Sequence, residues 1–110
     1  MADDWVWMSA GDLGRGVDSG EIDPVDLATA YFDAIKTHPL RDRIFARLTE
    51  ARAMAEAEAA ALRAKAGTRR GPLDGVPVSW KDLFDTAHTG CEAGSAMLKG
   101  RVPEADAEVV

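Results

Sequence analysis

Apolar residues recur at helical spacing through much of the first sixty or so positions. After Pro24, the residues Leu27, Ala28, Tyr31, Phe32 and Ile35 fall on one side of a 3.6-residue period. Asp26, Thr29, Asp33 and Lys36 fall on the other, which predicts an amphipathic helix. Asp23 supplies an N-cap acid, and Pro24 stands at the first helical position, where its missing N–H does no harm. Pro39, following His38, predicts the end of that helix. Upstream, Ser9, Ala10, Gly11 and Asp12 have the S-x-x-D form of a helix start, with Leu13 and Val17 on one face. Gly11, Gly14 and Gly16 each weaken it by about 1 kcal/mol relative to Ala, so this helix depends on its context. Trp5 and Trp7 are expected to pin the N-terminus by packing. Thr49 opens a long Ala-rich helix reaching about Ala66, closed by Gly67 at the C′ position. Ala51, Met54, Ala55 and Leu62 are expected on its apolar face, opposite Arg52, Glu56 and Arg63. Glu58 falls inside that stripe.

From residue 71 the period changes. Gly71 with Pro72, and Asp74 with Gly75, are turn chemistry: Pro presets φ, and Gly after Asp accepts a positive φ. Val76, Val78 and Trp80 then alternate with Pro77, Ser79 and Lys81, the period of two expected of a strand. A short apolar run over 44–48 predicts another strand. Residues 86–94 read as loop, 96–98 as a short apolar patch and 100–103 as a turn. Pro103, Glu104 and Asp106, with Val109 and Val110 as first apolar anchors, predict a helix opening at 104. Such a helix would be cut short by the last residue and costly to nucleate, an expectation that the native chain continues.

Lys81, delivered at the end of the apolar stretch, has two readings. Its stem can lie on apolar surface while the ammonium reaches water or pairs with Asp82 or Asp85. The other reading is a base. At an ordinary pKa of about 10.4 a lysine is neutral in only about one molecule in 2,500 at pH 7, so its pKa must fall by about 3 units. Burial beside Val78 and Leu83 is the setting in which that happens.

The segment GPLDGVPVSWKDLFD, followed by AGSAML and then DAEVV, resembles the N-terminal part of the amidase signature enzymes. The likeness is tight over 71–98 and diffuse over 9–70. Trp80 is bulkier than the residue usual before the family's lysine, and residues 88–92 depart from its Ala-Gly turn and threonine. Members hydrolyse or transfer carboxamides with a serine–serine–lysine triad whose lysine lies in a G-[IV]-P-V-x-x-K-D segment, matched here at Lys81. The resemblance implies an α/β fold in which this section contributes outer helices and one strand of a large mixed sheet. Residues 1–110 would be the N-terminal part of a single amidase domain, 1–70 mainly helical and 71–110 the strand–loop region carrying the lysine. It implies a small-molecule amide substrate, no metal or organic cofactor, and a missing C-terminal part holding both serines and the oxyanion hole. The 110 residues alone are then expected to be inactive. Ser79 and Ser95 are read as structural, and Asp82 as orienting the local backbone. An A-type subunit of an aminoacyl-tRNA amidotransferase is the alternative within the family. A non-enzymatic α-helical interaction module is the alternative outside it.

Composition narrows the classes further. With 46% hydrophobic and 29% charged residues the chain is an ordinary soluble one, but it is only 6% aromatic and rich in Ala, which predicts a thin core. A net charge of -6, spread along the chain, argues against a nucleic-acid-binding surface. Cys91 has no partner for an internal disulfide, which fits a reducing compartment. Asp3 and Asp4 stand where a basic leader would be, and no uncharged run approaches the roughly 20 residues that span a bilayer, so a cytoplasmic location is expected. His38 and His88 have no ligand at metal-site spacing, and no glycine pattern matches a phosphate loop.

Overall fold

Capping explains where the first long helices begin and stop. The computed structural model describes residues 2–110. A one-turn helix α1 (Ala2–Trp5) precedes α2 (Ala10–Ser19), α3 (Pro24–Thr37), the short α4 (Arg41–Ile44) and α5 (Glu50–Ala66), and a 3-10 turn lies at Ala96–Leu98. At the start of α2, Ser9 Oγ accepts from Asp12 N at 3.1 Å, and Gly20, with φ of 82°, ends it by donating to Val17 O. At the start of α3, Asp23 Oδ1 accepts from Val25 N at 2.7 Å, and the helix stops before His38 and Pro39. Gly67 closes α5. Its N–H donates to Ala64 O while Thr68 N donates to Arg63 O, the paired bonds of a Schellman ending.

The chain divides into two compact units. The first runs to Ile44 and resumes over Glu50–Pro77; the second comprises Phe45–Thr49 and Val78–Val110.

The first unit has an apolar core of Leu13, Val17, Ile22 and Leu27, with Trp5, Met8, Tyr31, Ala64 and Val76 packed against it. Helix α3 meets α1, α4 and α5, and Tyr31 Oη donates to Trp5 O at 3.2 Å. Only one of the tryptophans pins the N-terminus, because Trp7 is 89% exposed. Two of the glycines of α2, Gly14 and Gly16, have a use that outweighs their propensity cost. A Cβ on Gly14 would stand 2.0 Å from Pro72 O, and one on Gly16 would stand 2.4 Å from Ile22 Cδ1. Helix α2 therefore exists in its context: its glycines admit backbone and core to contact no side chain would allow.

Helix α5 presents a different face from the one its pattern predicts. Ala57, Ala60 and Ala61 are buried and Ala53, Met54 and Ala64 partly so, whereas Ala51, Ala55 and Leu62 are exposed. Among so many alanines the single Leu dominates a sequence-based face, but small side chains let α5 approach α3, with which it makes its most extensive contact. Glu58 is exposed and lies outside the face that α5 buries.

The second unit has little regular structure. Its backbone is tied by His88 N to Pro103 O at 2.8 Å, Cys91 N to Arg101 O at 3.0 Å, Ala93 N to Asp82 O at 2.7 Å and Ala107 N to Asp85 O at 2.8 Å. Three sequence expectations fail around it. The run at 44–48 is the end of α4 followed by coil; residues 76–80 form no strand; and residues 104–110 form turns rather than a helix. Alternation makes a strand only when a second segment completes the ladder, and none does so here. At 107 the N–H is committed to Asp85 O, which takes it from the bond a helix would need. Among the described residues there is no strand, so the mixed sheet implied by the resemblance is not present in them. No helix of the described residues is long and apolar enough to cross a membrane.

Candidate active site around Lys81

Two consecutive turns precede the lysine segment. Asp74 N donates to Gly71 O at 3.2 Å, and Val76 N donates to Leu73 O at 3.0 Å. Gly75 has φ of 96° and a Cβ there would lie 3.1 Å from Pro24 Cγ, so conformation and space both call for glycine. The Asp74 carboxylate is largely buried and fully used: it accepts from Arg63 Nε at 2.8 Å, Arg63 Nη2 at 2.7 Å and Arg70 N at 3.0 Å. The Arg63 guanidinium holds the Asp74 carboxyl far below the usual carboxylate range. Arg69 Nη2 adds bonds to Pro72 O and Asp74 O, both at 3.1 Å. Sequence reasoning treated Asp74 as turn chemistry and missed this anchor. The available signal was the group of arginines at 63, 69 and 70 just ahead of it.

Residues 76–81 follow without regular structure, and the Lys81 carbonyl accepts from Phe84 N at 3.0 Å. Lys81 is exposed, and the neighbours expected to bury it are exposed too, Val78 by 70% and Leu83 by 53%. A segment with no neighbouring strand cannot cover its own side chains, so these residues do not bury the lysine. Among the described residues the pairing of Lys81 with Asp82 or Asp85 is not made. Asp82 is taken by Arg47 Nη1 at 2.8 Å, and Asp85 by Arg101 Nη1 and Nη2 at 2.6 and 2.8 Å. Arg101 keeps the Asp85 carboxyl below its ordinary value. The acids on either side of Leu83 and Phe84 are thus occupied by arginines. Trp80 packs edge-on to Phe84, with ring centroids 5.9 Å apart.

Other candidates are quickly placed. Ser79 is exposed, and Ser95 stands at the start of the 3-10 turn without capping it through its side chain. Cys91 is buried, and burial pushes its thiol up, away from nucleophilic character. No group of three metal-ligating side chains occurs among the described residues. Asp82 does orient backbone: its carbonyl accepts from Ala93 N at 2.7 Å and its carboxylate from Glu92 N at 3.4 Å. Arg47 was not singled out from the sequence. It lies 35 residues from Asp82, within a run whose apolar neighbours drew the attention.

Comparison with known proteins adds to this geometry. The sequence model of the family described as Amidase matches residues 26–110. Curated relatives include the A-type subunit of glutamyl-tRNA(Gln) amidotransferase from Thermobifida fusca, 36% identical over 93% of this chain and 20% of that protein. Its counterpart from Anaeromyxobacter dehalogenans is 40% identical over 90% of this chain and 20% of its own length. That of Streptomyces coelicolor is 30% identical over 96% and 21%. The chain thus spans about a fifth of the length of these relatives. No solved structure gives a significant match.

Proposed function

The chain belongs to the Amidase family, and from that premise we propose that it is the lysine-bearing section of an enzyme that cleaves carboxamide C–N bonds through an acyl-serine intermediate. The observation that carries this reading is the coincidence of the family match with the segment ending in Lys81 and Asp82. Lys81, as the neutral amine, takes a proton relayed by one serine from a second serine, which attacks the amide carbon. The C–N bond then breaks, the amine leaves with a proton, and water or another acceptor takes the acyl group. Both serines and the backbone donors of an oxyanion hole come from the remainder of the enzyme, as does the cover that desolvates Lys81. Residues 1–110 form the N-terminal part of one amidase domain, a place where an α/β mixed sheet can gain residues 76–80 as a strand. The substrate is a small carboxamide, the location is cytoplasmic, and the 110 residues by themselves are inactive.

Relatives named as glutamyl-tRNA(Gln) amidotransferase components favour a second reading, in which the same chemistry serves an amidotransferase. Assaying the full-length protein alone on simple carboxamides separates the two. Turnover without other subunits supports the free-standing amidase, whereas turnover that needs partner proteins and charged tRNA supports the second. In either setting Lys81→Ala is expected to lower kcat/KM by about a thousandfold or more while the protein stays folded. Activity within tenfold of the parent would overturn the role of Lys81.

A further inference from the structure

We propose that Arg47 is a positioning residue for Lys81, acting through a fork that fixes the backbone on the C-terminal side of the lysine. The inference rests on the reading of Lys81 as the base. One arm of the Arg47 guanidinium, Nη1, donates to Asp82 Oδ1 at 2.8 Å, and the other, Nη2, lies 3.3 Å from Glu92 Oε1. The three side chains are each about two-thirds shielded, with 30%, 31% and 31% of their surface exposed. Gly90 makes the arrangement possible: a Cβ there would stand 2.6 Å from Arg47 Nε and 3.0 Å from its Cζ, so the guanidinium lies against bare backbone.

The fork joins two stretches that are themselves bonded together. Asp82 accepts at its carbonyl from Ala93 N at 2.7 Å, and Ala93 has a positive φ of 51°. Glu92 Oε2 accepts from Gly100 N at 2.6 Å. Arg47 therefore neutralises two acids, Asp82 and Glu92, that would otherwise share one site beside the lysine. It also fixes Asp82, the residue after Lys81, at both its side chain and, through the loop, its main chain. An arginine is suited to this because its planar fork meets two carboxylates at once, whereas a lysine ammonium is a point charge.

The test reads the reactivity of the nucleophile, so that no substrate need be known. Full-length parent, Lys81→Ala, Arg47→Met, Arg47→Lys and Glu92→Gln proteins are treated with a fluorophosphonate probe, which phosphonylates an activated serine. The second-order labelling rate and thermal midpoint are measured for each. If Lys81→Ala labels at the parental rate, the base reading falls, and the inference with it. With Lys81→Ala unreactive, the inference expects Arg47→Met to be slowed about tenfold or more, because small misplacements of a reacting group carry rate penalties of that order. Arg47→Lys should recover part of the loss and Glu92→Gln should be slowed about threefold, both with midpoints near the parent. Parental labelling by Arg47→Met overturns it. So does a loss shared equally by Arg47→Met and Arg47→Lys and matched by the loss of folded protein, the signature of a merely structural arginine. Should Arg47→Met fail to fold, the other two variants decide: slowed labelling at an unchanged midpoint supports the fork, and parental labelling by both overturns it.

Discussion

The two units of the chain are closed by different kinds of interaction. In the unit built on α2, α3 and α5, Leu13, Val17, Ile22 and Leu27 are buried together, and the same unit holds the Arg63–Asp74 ion pair. In the unit of Phe45–Thr49 and Val78–Val110, only Cys91 and Pro103 are buried among the described residues. Its segments are tied instead by backbone bonds and by the arginines Arg47 and Arg101 on their acids. Most of its large apolar side chains, Val78, Leu83, Met97 and Val109 among them, stay exposed. The contrast teaches where order comes from in each. Helices with a periodic apolar face can supply their own core, whereas a chain in extended and looped form needs either polar ties or another surface to cover it.

The sharpest way to break this contrast is to remove the centre of the first core. Leu27, fully buried, is expected to cost about 3–5 kcal/mol when changed to Ala, read from chemical denaturation. A loss under about 1 kcal/mol would mean that the helical unit is not held by apolar burial. The next effect probes its polar rim. Asp74→Asn leaves Arg63 without its charged partner and is expected to cost about 2 kcal/mol at neutral pH. Because Asp74 is depressed in the folded state, the unfolded chain binds more protons than the folded one between the two pKa values. Its contribution is thus fully present above about pH 4 and is lost as the pH falls through the lower folded value. Parent and variant should therefore converge on acidification, and parallel curves would rule out the pair as their cause. The smallest effect tests the observed face of α5: Leu62→Gln, at a site 68% exposed, should change stability by no more than about 0.5 kcal/mol.

Legibility followed the same division. The start of α2 at Ser9, both ends of α3 and the Gly67 ending of α5 could be read because capping and turn residues act through bonds only a few positions long. The face of α5 could not, since alanines pack on either side of a helix equally well and only the neighbour chooses. The strand expected at 76–80 and the helix expected at 104–110 failed because their formation depends on partners, not on pattern. Lys81 could be singled out from its segment as a candidate, and its role as the base is a proposal. The arginines that occupy Asp82 and Asp85 were not legible, for ion pairs formed across distant sequence leave no local signature, whereas the partner of Asp74 had a nearby signal in the arginines at 63, 69 and 70. Arg47 is the extreme case, joined to Asp82 over 35 residues.

Arg69 has a consequence for timing. It lies on Asp18, 51 residues away, and reaches the carbonyls of Pro72 and Asp74 within the turn that leads to the lysine segment. Bringing together ends that far apart costs about 3–4 kcal/mol of chain entropy, offset only after the intervening helices have formed. Long-range closures of this sort settle late on the folding path and give way early on the unfolding one. Weakening the Arg69 contacts would then hasten unfolding and leave the folding rate nearly unchanged. How long the turn at 71–75 keeps its shape is set by the lifetime of that closure.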